Sequence, residues 1–335
     1  MAVEVSHDSQ VTIIIASVVI IPLLLLLAEI VWRWMKPSKS LFNKHVIVVG
    51  GSSGIGKSMA IQAAQHNARA ITVISRSLSN LEAAKVDILA KSPKCDVKII
   101  SADVINHEDI AKAINEAIDI YGSPDYLVCA AGAAFPGYFL EQGMDVFRKS
   151  VELNYLGTVA CAKAALPHMV AAKSGHIVLV SSGAGISGWL GYSSYSPTKF
   201  AVRGLGEALR NEFSGFNIKI SVAYPPDTET AGFIEESKTK PVETVEMLMP
   251  SAHSPDTVAT YIWYSVRKGD FNCSCPDILQ DFLIALMSGV TPRRLYIFDV
   301  LIHPLVVMVT SAFRWNSDRI ALKYPKRLDR ARAGG

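Results

Sequence analysis

The order of elements between residues 45 and 65 restricts the fold of this chain more than any other feature of its sequence. Residues 45–49, His-Val-Ile-Val-Val, are apolar and β-branched, which is typical of a parallel strand buried on both faces. A turn containing Gly50, Gly54 and Gly56 follows at once, and residues 57–65 have the composition of a helix. Strand, glycine turn and helix in this order place a helix N-terminus and bare backbone N–H groups where a pyrophosphate can approach.

The same alternation of strand and helix extends along most of the chain. Apolar runs near residues 45, 70, 97, 125, 175 and 217 are separated by helical segments. This pattern predicts an α/β fold with a Rossmann-type, doubly wound parallel sheet. The 335 residues allow one such domain plus anchors, and the net charge of +3 is too small to indicate a nucleic acid partner. The five cysteines form no secreted disulfide pattern, and the histidines have no metal-ligand spacing.

The glycine turn is the first predicted cofactor site. The residues expected to contact a dinucleotide are Gly50, Ser52, Ser53, Gly54, Ile55 and Gly56. Their G-x-x-x-G-x-G spacing differs from the G-x-G-x-x-G fingerprint, and a flexible loop is the alternative interpretation. The position of the turn directly after a strand favours the cofactor site.

The end of the second strand indicates which dinucleotide is bound. The chain reads Ser75-Arg76-Ser77 there, with no carboxylate to take a ribose 2′-hydroxyl, whereas an arginine suits the 2′-phosphate of NADP. Arg76 therefore predicts NADPH, although a solvated surface arginine is the alternative. Asp103, after the third strand, is a candidate for the adenine edge or, equally, an N-cap for the helix that begins near Asn106.

Tyr195 and Lys199 are a candidate catalytic pair. Residues four apart in a helix lie on one face, so the lysine can hold a positive charge beside the phenol. A free tyrosine loses its proton at about pH 10, and a neighbouring cation lowers that pKa. We expect Tyr195 to act as the proton donor to a carbonyl. The alternative is a chance pair on an exposed helix face.

Two further polar residues precede this pair, Ser182 and Asn154. The glycine turn, Asn154, Ser182 and Tyr-x-x-x-Lys occur in this order, and residues 43 to about 232 thereby resemble the short-chain dehydrogenase/reductase family. The resemblance implies that Ser182 donates a hydrogen bond to the developing alkoxide, that Asn154 positions a proton-relay water, and that Lys199 holds the nicotinamide ribose. As alternatives, Ser182 caps the loop that follows it and Asn154 is a helix-interior amide bonded to backbone.

Residues 224–241, 154–157 and 199–205 resemble a branch of the family that reduces 3-ketodihydrosphingosine to sphinganine. Within the first stretch, Thr228 and Thr230 are assigned to cofactor binding. Three places depart from the family pattern: Val49 replaces a Thr, Cys129 and Ala130 stand where Asn is common, and Pro226 replaces a Gly. These changes affect hydrogen bonding near the cofactor and leave the proton-transferring groups in place. The seventh strand that the family implies is hard to locate after Lys268.

The N-terminus predicts a membrane anchor. Residues 11–28 carry no charge, and extension to Trp32 admits only Glu29, which gives a helix of about 33 Å. Acidic residues precede this segment and Arg33, Lys36 and further lysines follow it, so a cytosolic catalytic domain is expected from the positive-inside rule. A buried hydrophobic helix of a soluble protein is the alternative.

The C-terminal third is apolar in two segments, residues 281–290 and 295–313. Because Pro292, Asp299, His303 and Pro304 interrupt them, they are expected to dip into or lie on a membrane, or else to pack as amphipathic helices on the domain. Seven basic residues between 314 and 332 suit anionic headgroups or form a solvated tail.

The predicted organisation is a tail (1–10), a transmembrane helix (11–32), a basic linker (33–42), an NADP-binding reductase domain (43–270), apolar membrane-associated segments (271–313) and a basic tail (314–335). The resemblance implies an endoplasmic reticulum enzyme that reduces a long-chain lipid ketone with NADPH. A membrane-anchored steroid or retinoid dehydrogenase is the alternative enzyme, and a nucleotide-sensing scaffold is the non-catalytic alternative. The oligomeric state stays open, and a homo-oligomer is compatible with the sequence.

Overall fold

The computed structural model describes residues 20–248, 252–287 and 292–324. The strands are β1 (His45–Val49), β2 (Ala70–Ser75), β3 (Asp96–Ser101), β4 (Tyr126–Cys129), β5 (Gly175–Val180) and β6 (Ile218–Ala223). The helices are α1 (Ile21–Met35), α2 (Gly54–Gln65), α3 (Leu78–Lys91), α4 (His107–Tyr121), α5 (Met144–Val151), α6 (Gly157–Ala172), α7 (Ser196–Phe213), α8 (Ala231–Ser237), α9 (Val242–Met247), α10 (Pro255–Lys268), α11 (Ile278–Met287) and α12 (Tyr296–Ala321). A π-helical turn, Glu152–Leu156, joins α5 to α6.

The six strands form one parallel sheet in the order β3-β2-β1-β4-β5-β6. The predicted doubly wound sheet is therefore confirmed, with a strand at each of the six expected places. The order reverses at β1, which pairs with β2 on one side and β4 on the other. In such sheets the crevice outside the carboxyl ends of the strands, at this reversal, is where ligands bind.

Burial on both faces explains the unbroken apolar character of β1. Ile47 and Val49 belong to the core between the sheet and α4, α6 and α7. Val46 and Val48 point to the opposite face and pack against α2 and α10. Trp263 is fully buried on that second face, where its indole N–H donates to the Met59 carbonyl oxygen at 3.0 Å.

The seventh strand is reduced to a short parallel bridge beside β6. The Val222 N–H donates to the Phe271 carbonyl oxygen at 2.7 Å, and the Cys273 N–H donates back to the Val222 carbonyl oxygen at 2.9 Å. Two backbone hydrogen bonds extend the sheet here without a run of β-branched residues. This is why the strand gave so weak a sequence signal.

The C-terminal apolar segment differs from the expectation. Residues predicted to be broken by Pro304 form one helix, α12, which is 26 residues long and continues past the predicted boundary at residue 314. A proline inside a helix removes one hydrogen bond and bends the helix, and here the helix continues through it. Within the described residues, α12 is the one helix long and apolar enough to cross a bilayer.

The predicted N-terminal span lies partly outside the described residues. Residues 21–32 of the span belong to α1, which continues to Met35, and residues 11–19 lie outside the described residues. Glu29, the single charge of the predicted span, accepts hydrogen bonds from the first N–H groups of α12, those of Tyr296, Ile297 and Phe298. The interior charge of α1 thus caps the N-terminus of α12 and joins the two apolar helices.

Candidate active site

The glycine turn is folded tightly between β1 and α2. Gly50 has a φ of +81°, and a Cβ there would lie 2.5 Å from the Ala131 nitrogen. A Cβ on Gly56 would lie 2.3 Å from the Gly50 carbonyl oxygen. Side chains at these two positions would push the turn open, so the glycines let backbone lie directly against backbone. The turn resides at the floor of a cleft of about 410 Å³, which is lined by Gly50, Ser52, Ser53, Gly54, Ile55 and Gly56 among others.

Arg76 lines the same cleft at the end of β2. Its guanidinium side chain is 66% exposed and lies 4.0 Å from the Asp103 carboxylate. Ser52 and Ser75 are joined by a hydroxyl hydrogen bond of 2.8 Å at this end of the cleft. Asp103 accepts a hydrogen bond from the Ile105 N–H, whereas Asn106 is the N-cap of α4. The N-cap alternative for Asp103 is therefore wrong, and its contact with adenine stays a prediction.

Tyr195 and Lys199 meet at the start of α7, where Tyr195 is the residue before the first turn. The Lys199 ammonium lies 5.6 Å from the centre of the Tyr195 ring and donates to the Val180 carbonyl oxygen at 3.1 Å. The hydroxyl of Tyr195 is hydrogen-bonded to Ser182. Ser182 also accepts from the Ala184 N–H at 3.1 Å, so it caps the loop and faces the phenol at once.

Burial determines the acidity of both groups. It raises the pKa of Tyr195 well above its ordinary value, and the hydrogen bond to Ser182 only partly offsets this. Burial also lowers the pKa of Lys199 to about 8. The expectation that Lys199 depresses the pKa of Tyr195 is wrong for this arrangement, because removal of the phenolate from water outweighs an ammonium that is bonded to backbone. Tyr195 is consequently protonated at neutral pH.

Asn154 is fully buried in the π-helical turn between α5 and α6. Its side chain accepts from the Ala133 N–H at 2.9 Å and donates to the Ala133 carbonyl oxygen at 3.0 Å. A Cβ on Gly132 would lie 2.7 Å from the Asn154 side-chain oxygen and 3.2 Å from the Lys199 ammonium. The Asn154 side chain is therefore hydrogen-bonded to the backbone of the loop after β4, as the alternative interpretation predicted. This contact lies next to Lys199.

The loop after β6 completes the cleft, and both predicted threonines line it. The Thr228 hydroxyl donates to the Pro226 carbonyl oxygen at 2.7 Å. The Thr230 hydroxyl accepts from the Phe233 N–H and caps α8. A Cβ on Gly54 would lie 2.9 Å from the Thr230 methyl group, so this loop approaches the glycine turn closely.

Two of the residues that depart from the family pattern, Cys129 and Ala130, lie at the end of β4. Cys129 is buried on β4, where an interaction with Cys161 and burial raise its pKa well above the ordinary value. The Ala130 N–H donates to the Val49 carbonyl oxygen at 2.8 Å, which ties β4 to β1 at the point where side-chain hydroxyl and amide groups are missing.

Four residues that the sequence analysis did not assign lie beside Tyr195. Tyr192, Asp227 and Glu236 line the cleft, and Lys240 lies behind them. We call these four residues the Glu236 cluster. Asp227, Glu236 and Lys240 all belong to the stretch that carries the narrower resemblance. The carboxylates and lysines grouped within residues 227–240 were the available signal.

Trp189 and Leu283 form a second feature without a sequence signal. They line the catalytic cleft and also a neighbouring cavity of about 480 Å³, which includes Phe313 and Trp315 of α12. The cleft thus adjoins a cavity on the long apolar helix. Residues of α11 and α12 lie far from Trp189 in the sequence and come together with it only in the folded protein. The sequence alone therefore does not show that they line one cavity.

The cleft fits a dinucleotide, because its glycine floor, the N-terminus of α2 and Arg76 occupy one end while Tyr195 and Lys199 occupy the other. A Rossmann sheet with a serine, tyrosine and lysine in this position defines a nicotinamide-dependent oxidoreductase. The short chain dehydrogenase family model matches residues 44–241. The chain belongs to the short-chain dehydrogenase/reductase family.

Named relatives extend the comparison. The chain is 38% identical to the 3-ketodihydrosphingosine reductase of Dictyostelium discoideum over 304 residues, which cover 86% of this chain and 91% of the relative. It is 42% identical to the 3-dehydrosphinganine reductase of Danio rerio over 262 residues, 77% of this chain and 78% of the relative. The crystal structure of levodione reductase has the same fold, with a TM-score of 0.64 at 21% identity over 69% of this chain and 95% of the other.

Proposed function

We propose that this chain reduces 3-ketodihydrosphingosine to sphinganine with NADPH, a step of sphingolipid synthesis. The observation that carries the proposal is the cavity on α12 that adjoins the cleft and shares Trp189 and Leu283 with it. A long alkyl chain would extend past these two side chains into that cavity while its ketone reaches Tyr195. Relatives named for this reaction at 38% and 42% identity support the same substrate.

The residues of the cleft supply the proton chemistry. NADPH supplies the hydride when bound. Tyr195 gives its hydroxyl proton to the ketone oxygen. Burial raises its pKa, so Tyr195 is protonated at neutral pH before the reaction. The Ser182 hydroxyl, already directed at Tyr195, donates a hydrogen bond to the oxygen as negative charge develops. Lys199, whose ammonium lies 5.6 Å from the centre of the Tyr195 ring, would hold the cofactor ribose.

The choice of NADPH rests on Arg76. Its guanidinium is largely exposed at the cleft edge and its nearest carboxylate, Asp103, is 4.0 Å away, so the side chain is free to turn to a 2′-phosphate. We further place the protein in the endoplasmic reticulum membrane with the catalytic domain in the cytosol. The basic residues after residue 32 and the long apolar helix α12 support that location.

A substrate panel tests the proposal. The purified full-length chain in detergent micelles is incubated with NADPH and with ketosphingoid bases, ketosteroids or retinaldehyde, and NADPH oxidation and alcohol formation are measured. Turnover of the ketosphingoid base with at least about tenfold higher kcat/KM than of the other carbonyl compounds supports it. Preference for a steroid or retinoid would favour the alternative enzyme. Nucleotide binding without turnover of any ketone would favour the scaffold.

A further inference from the structure

The Glu236 cluster forms one hydrogen-bonded and ion-paired unit beside the reacting tyrosine. The Tyr192 hydroxyl donates to the Glu236 carboxylate. The Lys240 ammonium lies 3.1 Å from Glu236 and 3.8 Å from Asp227, and its side chain is only 5% exposed. The rings of Tyr192 and Tyr195 are 5.9 Å apart, so the unit is a direct neighbour of the reaction centre.

The charges of this unit do not balance. Two carboxylates, Asp227 and Glu236, share the single ammonium of Lys240. The carboxylates line the cleft, while the lysine lies behind them and under the Phe233 ring at 4.3 Å. Lys199 does not supply the missing charge, because it donates to the Val180 carbonyl oxygen and forms no ion pair with either carboxylate. One negative charge in excess therefore faces the space next to Tyr195.

An excess charge on partly buried carboxylates is unfavourable unless a ligand compensates it. Burial raises the pKa of Asp227, and the nearby Glu236 carboxylate adds to the effect. A ligand with a positive charge close to its reacting carbonyl would relieve this repulsion. Neutral carbonyl compounds such as ketosteroids or retinaldehyde would leave it unrelieved.

We propose that Glu236, together with Asp227, binds the ammonium group of an α-amino ketone substrate and so determines substrate specificity. This inference rests on the proposed function, since 3-ketodihydrosphingosine carries its amine on the carbon next to the ketone. When the ketone oxygen meets Tyr195, the ammonium must lie within a side chain's width of it. The carboxylates beside Tyr192 occupy that surrounding space.

The test compares two ketones in the full-length protein with NADPH. One is 3-ketodihydrosphingosine and the other is its deamino counterpart, the same hydroxyketone without the amine. Wild type should prefer the amino ketone by about tenfold or more in kcat/KM, the range expected for a partly buried charge pair. Glu236→Gln should erase most of this preference, chiefly through a higher KM for the amino ketone. Asp227→Asn should reduce it less, because Asp227 is the more exposed carboxylate.

Glu235→Gln is the matched control. Glu235 precedes Glu236 on α8, its side chain is 70% exposed, and it pairs with Lys238 outside the cleft. This variant should keep the wild-type preference. NADPH affinity and the melting temperature show whether each variant is folded. If Glu236→Gln does not fold, the preference between the two ketones is compared between wild type and Asp227→Asn.

The outcomes separate the two proposals. The specificity role would be given up if wild type reduced both ketones with equal kcat/KM, or if Glu236→Gln lost kcat/KM equally toward both. Either result would show that the cluster only neutralises Lys240. Turnover of the amino ketone in that case would leave the proposed function standing. Absence of amino ketone turnover by wild type would instead defeat the proposed function itself.

Discussion

Tyr195 occupies an environment that favours the protonated phenol over the phenolate. Its hydroxyl is bonded to Ser182, and burial raises its pKa. We predict that Tyr195→Phe abolishes ketone reduction and leaves NADPH affinity within about twofold, because the change removes the transferable proton and little volume. Single-turnover assays and cofactor titration measure the two effects. Retention of a tenth or more of wild-type turnover would contradict the assignment.

Arg76 should discriminate between the two nicotinamide cofactors. Arg76→Ala is expected to weaken NADPH binding by about tenfold or more and NADH binding by less than about twofold, since only NADPH carries the phosphate that a guanidinium can grip. Arg69→Ala is the control, because Arg69 lies at the other end of the same strand, where it donates to the Tyr121 carbonyl oxygen. Equal losses for both cofactors in Arg76→Ala would indicate an effect on stability.

Lys199 predicts a dependence of stability on pH. Burial lowers its pKa to about 8 from an ordinary 10.5, so the charged form is disfavoured by folding. Below about pH 8 the folded protein carries the full loss of stability that comes from burying the Lys199 ammonium. This loss decreases as the pH rises from about 8 to about 10.5, because in that window Lys199 is deprotonated in the folded protein and still protonated in the unfolded chain. Wild type should therefore gain stability relative to Lys199→Met across this window, with a slope approaching about 1.4 kcal/mol per pH unit.

Urea unfolding of both proteins at a series of pH values between 7 and 10 measures this slope. The difference between the two proteins removes the contributions of all other titrating groups. A difference that stays constant with pH would show that Lys199 is not destabilised by burial, and the explanation of its pKa would be wrong.

The contact between α1 and α12 joins the two apolar helices at the N-terminus of α12. The carboxylate of Glu29 accepts from the N–H groups of Ile297 at 2.9 Å and of Phe298 at 3.3 Å. Glu29→Ala removes an acceptor and a negative charge from a helix N-terminus, a loss worth about 1 kcal/mol. The expected result is roughly fivefold faster hydrogen exchange at the first turn of α12, measured by mass spectrometry in detergent micelles.

An internal control accompanies this experiment. The peptide that contains α5 packs chiefly against the π-helical turn that follows it and should exchange at the wild-type rate. Faster exchange in α5 as well would indicate a general loss of stability. Unchanged exchange at α12 would show that its N-terminus does not depend on Glu29.

The strands were predictable because five of the six are apolar runs that are almost entirely buried. The motif residues were predictable because their order and spacing along the chain are local properties of the sequence. Features that depend on distant partners were not predictable. Asp299 was expected to interrupt the apolar segment, whereas Arg293 lies 3.9 Å from its carboxylate and α12 continues. The direction of the Tyr195 pKa shift and the Glu236 cluster were missed for the same reason, since burial and long-range convergence are tertiary properties.

At the scale of the whole molecule, the reductase domain is tied to its apolar helices by buried charges. Arg33 at the end of α1 makes two hydrogen bonds to Asp270, at 3.0 and 2.7 Å. The Lys268 ammonium donates to the carbonyl oxygen of Lys36 at 2.5 Å, just beyond the same helix. These contacts fix the direction in which α1 leaves the domain. If α1 and α12 enter a membrane, the orientation of the catalytic cleft and of the cavity on α12 relative to that membrane is therefore fixed.

The topology of that membrane attachment is the last prediction. If residues 11–32 cross the endoplasmic reticulum membrane with Arg33 and Lys36 on the cytosolic side, the cleft faces the cytosolic supply of NADPH. A protease recognition site inserted after Leu140, an exposed residue in the loop before α5, should be cut in sealed microsomes without detergent. A glycosylation acceptor at the same place should stay unmodified, while a lumenal marker resists the protease. Protection of the site until detergent is added, together with glycosylation, would place the domain in the lumen and overturn the cytosolic orientation.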